Sequence, residues 1–145
     1  MKTIKEVEIQ LENKPGALSL VSELLGSNNV NILAVTVRTV GDVGMVNFVA
    51  SEPDRVAGIL DSAGYSAGTK EIIAAETPHH PGGLNAILKP LRLAGVNVEY
   101  LYAAIGFLGS ANSTILMICV DDLQAAHDAL AKEWIQLYGE ELYNI

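Results

Sequence analysis

NKPGALSLVSELLGSNNVNI, Asn13 to Ile32, returns later in the chain as HPGGLNAILKPLRLAGVNV, His80 to Val98. Pro15 meets Pro81, Gly16 meets Gly82, Leu18 meets Leu84, Val30 meets Val96 and Asn31 meets Asn97, all at one offset of 66 (81 − 15, 97 − 31). Self-similarity at a fixed period marks a duplicated structural unit, and it organises the reading of the residues around it.

Ahead of the first copy, Val7, Ile9 and Leu11 alternate with Glu6, Glu8, Gln10 and Glu12. This pattern predicts a strand with one dry and one wet face, suited to an antiparallel sheet covered on one side. Pro15 then opens a helix where its missing N–H does no harm. Ala17, Leu18, Val21, Leu24 and Leu25 form the apolar stripe, and Gly26 with Ser27, Asn28 and Asn29 ends it. Asn31 to Val40 is rich in β-branched residues and reads as a strand. Gly41 to Gly44 turns the chain, and Met45 to Ser51 returns as the second strand of a hairpin. A second helix starts at Ser51 and Pro53, points Val56, Ile59, Leu60 and Ala63 inward and stops at Gly64. Tyr65 to Thr69 is expected as a short closing strand, which completes the order βαββαβ.

The second copy follows the same order. Glu71 to Thr77 reads as a strand, Pro81 to Ala94 as a helix bent at Pro90, and Asn97 to Ile105 with Ser113 to Val120 as a hairpin. Asp121 or Asp122 caps a helix that runs to Lys132. By this helix the offset has grown to 70 (130 − 60, for Leu130 and Leu60), and the extra residues fall in the loop Gly106 to Asn112, where insertion costs little. Trp134 to Tyr138 is expected as the closing strand, and Gly139 to Tyr143 as a terminal turn or short helix. The predicted class is α+β: two ferredoxin-like βαββαβ domains in tandem, residues 1–70 and 71–145, each an antiparallel sheet with its helices on one face.

Composition limits the function classes. The chain has 145 residues, half of them hydrophobic, which is enough for a real core. A unit of half that length is marginal alone, so two would gain by packing together. The net charge of −8 argues against nucleic acid and against an anionic membrane surface as partners. No apolar run approaches the roughly 18 residues of a membrane span. Met1 to Glu12 has no signal-peptide core, and the single Cys119 cannot form an internal disulfide, so a soluble cytoplasmic protein is expected.

The repeated Pro-Gly lies at a strand-to-helix turn, where backbone N–H groups lack partners and carry partial positive charge. Gly16 and Gly82 let other atoms approach that backbone, and such a terminus attracts carboxylates. Asn31 and Asn97 stand where the helix returns into the next strand, and an Asn side chain both donates and accepts. Two readings stay open from the residues alone: a small-ligand site, or turn residues serving only local backbone bonds.

Asn13-Lys14-Pro15-Gly16-Ala17-Leu18 followed by Val30-Asn31-Ile32, and His80-Pro81-Gly82-Gly83-Leu84 followed by Gly95-Val96-Asn97-Val98, resemble the ACT domain family. The closing Glu140-Glu141-Leu142-Tyr143 is similar to the tail of small stand-alone tandem ACT proteins. The resemblance covers nearly the whole chain. It implies a non-catalytic regulatory module or sensor that binds a small molecule, most often an amino acid, at interfaces between paired ACT domains. A partner enzyme of amino-acid metabolism is implied as well. The ligand-binding candidates so implied are Leu11, Asn13, Gly16, Ala17, Leu18 and Asn31 in the first copy, and His79, Gly82, Gly83, Leu84 and Asn97 in the second. Asn13 is replaced by His79 (79 − 13 = 66), so the two loops are not expected to bind one ligand equally well. A constitutive assembly module without ligand is the competing reading.

His79, His80 and His127 lack metal-ligand spacing, and the adjacent pair would diverge, so no metal is expected. Cys119, inside the apolar run Ile115 to Val120, reads as a small buried hydrophobe. No nucleophile–base pair, phosphate loop or convergent acid/base group is legible, so neither catalysis nor a cofactor is expected. Tyr100 and Tyr102 share the strand face opposite Leu101 and Ala103, which are expected to meet the helices. Two tyrosines on an outer face call for cover: packing against the other copy, a dimer interface or a wall of the ligand site. Phe107 and Leu108 extend the same idea. A homodimer is expected.

Overall fold

Residues 1–106 and 112–144 are described by a computed structural model of the chain. They form two compact units, one of Lys5–Lys70 and one of Glu71 onward together with Met1–Ile4.

In the first unit β1 (Ile4–Glu12), α1 (Ala17–Ser27), β2 (Ile32–Val40), β3 (Val43–Ala50) and α2 (Pro53–Ser62) follow in order. β3 pairs antiparallel with both neighbours, Ile9 facing Val46 on one side and Val35 facing Phe48 on the other. The period-two pattern puts Val7, Ile9, Leu11, Val46 and Phe48 in one cluster with Val21 and Leu25 of α1 and Val56 and Leu60 of α2. Each helix therefore buries one stripe against the sheet, but Leu18 and Ala63, expected in those stripes, are exposed.

The expected wet face of β1 is not wet throughout. Glu6 is fully buried and Glu8 half-buried. Asn47 stands opposite Glu8 in the ladder, and its Nδ2 donates to Glu6 Oε1 at 3.0 Å and Glu8 Oε2 at 2.7 Å. Charge-assisted bonds of this kind offset part of the desolvation that burial imposes on a carboxylate.

The expected closing strand Tyr65 to Thr69 is not a separate element. Tyr65 and Ala67 pack on the first core outside any strand, and Gly68–Pro78 runs as one strand, β4. Thr69, Lys70 and Glu71 contain no turn residue, so the backbone stays extended through them.

The second unit continues with α3 (Gly83–Leu93), β5 (Val98–Ala103), β6 (Ser113–Val120), α4 (Leu123–Lys132), β7 (Leu137–Tyr138) and a short 3-10 helix, Glu140–Asn144. β6 lies between β4 and β5, and β7 pairs with β4 through Ala74–Tyr138 and Ala75–Leu137. Ile73, Leu116 and Ile118 of the sheet meet Ile87 and Leu91 of α3 and Ala126 and Leu130 of α4. Asp122 is the N-cap of α4, its Oδ1 accepting from Ala125 N at 3.0 Å.

Leu101 joins this core, whereas Ala103, at the end of β5, is exposed, contrary to its expected place against the helices. Tyr100 and Tyr102 stack on each other with ring centroids 6.3 Å apart, and Tyr102 is buried. Their apolar area is thus largely covered within the chain and does not by itself call for a dimer. Cys119 is buried, with its Sγ 3.7 Å from Glu99 Oε2. Phe107 and Leu108 lie outside the described residues.

Candidate functional site

Each Pro-Gly loop ends in a left-handed glycine at the helix N-cap, Gly16 with φ 86° and Gly82 with φ 83°. A side chain is strained in that region, which is why both copies carry glycine there. Neither helix has a side-chain cap or an acidic residue in its first turn. The first N–H of each helix is taken by the loop backbone, Ala17 N by Lys14 O at 3.3 Å and Gly83 N by His80 O at 2.9 Å, so only the following N–H groups of the first turn keep their partial positive charge. Among the described residues a Cβ placed on Gly16 or Gly82 would meet nothing within 4 Å.

The supports beneath the two loops differ. In the first, Asn13 is tied to the β2–β3 turn: its N–H donates to Asp42 O at 2.9 Å and its Nδ2 to Gly41 O at 3.3 Å. Lys14 pairs with Glu12 at 2.9 Å, and the hydrogen bond and the charge of that carboxylate raise the Lys14 pKa. Ala17 is half-buried and Leu11 closes the core below. In the second, the His79 N–H donates to Asn112 O at 2.7 Å, and His80 Nδ1 lies 2.9 Å from Pro81 O. Gly83 is buried, and Thr77 Oγ1 donates to its carbonyl at 2.9 Å. Leu18 and Leu84, one residue into each helix, are exposed by 43% and 47%, an apolar rim beside each glycine.

The two asparagines stand at the other end of their helices. Val30 N bonds back to Leu25 O, so Asn31 follows the C-terminus of α1 while Gly16 caps its N-terminus. The 11 residues of α1 span roughly 16 Å at 1.5 Å per residue. Gly82 and Asn97 are separated in the same way by α3. The glycine-capped loop and the asparagine of one copy are therefore too far apart for one amino acid to touch both.

The asparagine ends differ in charge. Asp121 N donates to Asn97 O at 3.1 Å, and Asp121 Oδ1 accepts from the Asn97 N–H at 2.9 Å. The first copy repeats the former bond as Ser51 N to Asn31 O at 3.3 Å, with Ser51 where Asp121 stands (121 − 70 = 51). Among the described residues no side chain accepts from the Asn31 N–H, and Asn31 is exposed. Arg55 reaches this end of the first copy, its Nη2 donating to Asn28 O at 3.0 Å and its Nη1 meeting Glu52 Oε2 at 3.3 Å. The second copy has Ala125 at that place (125 − 70 = 55). From the sequence, Ser51 and Asp121 are only helix starts and Arg55 has no role; the offset of 70 pairs Ser51 with Asp121 and Arg55 with Ala125.

Concavities of the second unit are lined by other residues. A groove of about 360 Å³ between α3 and α4 is lined by Pro90, Leu93 and Ala129 together with the charged Asp128, Lys132 and Glu133. Another, of about 380 Å³, borders Glu76, Ser113, Trp134 and Gln136. Glu76 accepts there from Ser113 Oγ and, at 3.2 Å, from the Tyr138 hydroxyl. His127 Nδ1 lies 3.7 Å from Asp128 Oδ1. Among the described residues no group of His, Cys, Asp and Glu is arranged to hold a metal, and no helix is long and apolar enough to cross a membrane.

The sequence matches the family described as an ACT domain pair over residues 2–144. The fold is similar to a crystal structure of a protein from Bacteroides thetaiotaomicron, with TM-score 0.89 and 26% identity over 99% of this chain and 97% of that one. It is also similar to the ligand-free regulatory subunit of aspartate kinase from Thermus thermophilus (TM-score 0.65, 12% identity, 92% and 94% covered). The regulatory subunit of aspartate kinase from Thermus flavus gives TM-score 0.61 and 14% identity over 90% and 92%. These last two likenesses concern the fold alone. No curated protein matches the sequence.

Proposed function

The chain belongs to the ACT domain family, as an ACT domain pair, and from that premise we propose that it is a non-catalytic sensor of an amino acid. The observation that carries this reading is the separation of the two half-sites. A glycine-capped helix start without an acidic first turn suits a carboxylate, and so does the open Asn31, but α1 keeps them apart. A homodimer resolves this. Two first repeats meeting about a two-fold axis place the loop of each chain against Asn31 of the other, making two equal sites from four halves. Leu18 and the exposed rim beside Gly16 support cover by a second chain. Ligand binding then changes dimer geometry only as far as it favours one arrangement over another, and a separate enzyme of amino-acid metabolism is the proposed reader of that change.

A thermal-shift screen of the purified protein against the twenty amino acids tests the reading. A ligand at a hundred times its Kd stabilises by about 2.7 kcal/mol, a readily visible shift. One selective response, lost in Asn31→Ala and in Asn13→Ala and accompanied by a dimeric mass in light scattering, is the expected result. The exposed Leu20, Val37, Val40 and Val43 of the first unit favour a second reading, a constitutive assembly module. A flat screen with a dimer that persists at every ligand concentration would select it.

A further inference from the structure

We propose that Asp121 closes the asparagine end of the second repeat to carboxylates, so that the chain accepts the carboxylate of an amino acid at Asn31 and not at Asn97. The inference rests on the sensor reading above and specifies which repeat serves it. Two observations carry it, and they are independent. The first is the internal carboxylate itself: Asp121 Oδ1 takes the Asn97 N–H at 2.9 Å, the bond a ligand carboxylate would need. An incoming carboxylate must displace this group and approach its charge. Asp122, the next residue and the N-cap of α4, is not part of the difference, since the first repeat has Glu52 at the same place (122 − 70 = 52). The second observation is the absence of that carboxylate from the first repeat. Ser51 replaces Asp121, no side chain among the described residues accepts from the Asn31 N–H, and Arg55 brings a guanidinium to the Asn28 carbonyl at the same end of α1. The second repeat has Ala125 where Arg55 stands. The duplicated backbone thus presents one asparagine whose N–H no described side chain takes and another whose N–H is held by a carboxylate. Asp121 acts here as a specificity-determining residue: it does the ligand's part at the second site.

The backbone amide signals of Asn31 and Asn97 report the two ends separately. The full-length protein, Asp121→Ser and Ser51→Asp are each titrated with each of the twenty amino acids as probe, and both amides are followed by NMR. In the unmodified protein the binding amino acid is expected to shift Asn31 and leave Asn97 in place. Asp121→Ser brings Asn97 into response to the same probe. Ser51→Asp weakens the response at Asn31 at least about tenfold, the scale of one charge-assisted hydrogen bond. A response at Asn97 in the unmodified protein overturns the inference and leaves the sensor reading standing. A silent Asn97 in a folded Asp121→Ser overturns it as well. Should Asp121→Ser fail to fold, an undiminished Asn31 response in Ser51→Asp overturns it instead. If no probe moves either amide in any of these proteins, the sensor reading fails and the inference falls with it.

Discussion

Gly83 lies so near the carbonyl of Pro78 that a Cβ built on it would stand 2.1 Å from the oxygen and 3.0 Å from the carbon. The contact is backbone to side chain, at the first residue of α3, and neither partner can rotate away. Thr77 Oγ1 holds the same turn from below through the Gly83 carbonyl. The first repeat has Ala17 at this position and Leu11 at that of Thr77, so the constraint belongs to the second loop alone. Gly83→Ala is therefore expected to destabilise by about 1–3 kcal/mol or more, as overpacking does. Gly58→Ala, in the middle of α2 with nothing within 4 Å of its Cβ, is expected to stabilise by about 0.4–1 kcal/mol. Urea unfolding of the two variants checks both signs.

Asn47 is fully buried and donates to two carboxylates, Glu6 and Glu8. Removing a donor to a charged group costs about 1.5–3 kcal/mol. Asn47→Ala is expected to fall in that range by chemical denaturation. Asn47→Asp is expected to cost more at neutral pH, because it sets a third negative charge against the other two. A loss that shrinks when Asn47→Asp is measured at acid pH, where carboxylates protonate, identifies the charge as the cause.

Burial first, then the charge of Glu76 and the hydrogen bond to it, push the Tyr138 hydroxyl above its ordinary value of 10.0. A raised pKa means that the folded state holds this proton more tightly than the unfolded chain. The contribution is fully present below the unfolded pKa and is lost as pH rises through the folded one. Stability is thus expected to decline at alkaline pH, from near the ordinary tyrosine value upward. Tyr138→Phe should flatten this part of the pH–stability profile measured by denaturant unfolding. Glu141 acts at the other extreme. The N–H groups of Gly139 and of Glu141 itself, with Lys2, lower its pKa, so its contribution is lost as pH falls below the ordinary carboxylate range.

The sequence carried the repeat, the element order and the core positions because each rests on local periodicity: Val7, Ile9 and Leu11 alternate, and Val56 and Leu60 are helically spaced. It was less informative where long-range packing decides. The charges of β1 mark a polar face, but whether Glu6 meets water depends on what lies over it, and the answer was full burial. Tyr65 to Thr69 has strand propensity, yet β4 begins only at Gly68 and runs on to Pro78. At the candidate site the glycines and asparagines were legible as a motif. Their separation by α1 was implicit in the spacing of Gly16 and Asn31 and needed only helix geometry. The offset of 70 pairs Ser51 with Asp121, but that they meet the asparagine ends was not legible, because each does so from outside the helix that carries the motif.

Trp134 occupies the position after α4 where the first repeat has Gly64 (134 − 70 = 64), and both are left-handed, with φ 60° and 92°. The hydrogen bonds match too: Ile135 N returns to Leu130 O at 3.1 Å as Tyr65 N returns to Leu60 O at 2.9 Å. This is the helix-ending turn that glycine fills at no steric cost. A tryptophan there is strained, by roughly 1–2 kcal/mol for an ordinary side chain in the left-handed region. It recovers little by packing, since Trp134 is 94% exposed. Trp134→Gly is therefore expected to stabilise the protein, by about 1 kcal/mol once the greater flexibility of glycine in the unfolded chain is set against the relief. Thermal unfolding of the variant checks the sign. A destabilised variant would mean that the indole makes contacts in solution that its exposure in the single chain does not account for, with a second chain as the first place to look. Light scattering of the two proteins at matched concentration would then decide between a lost dimer contact and a purely local effect.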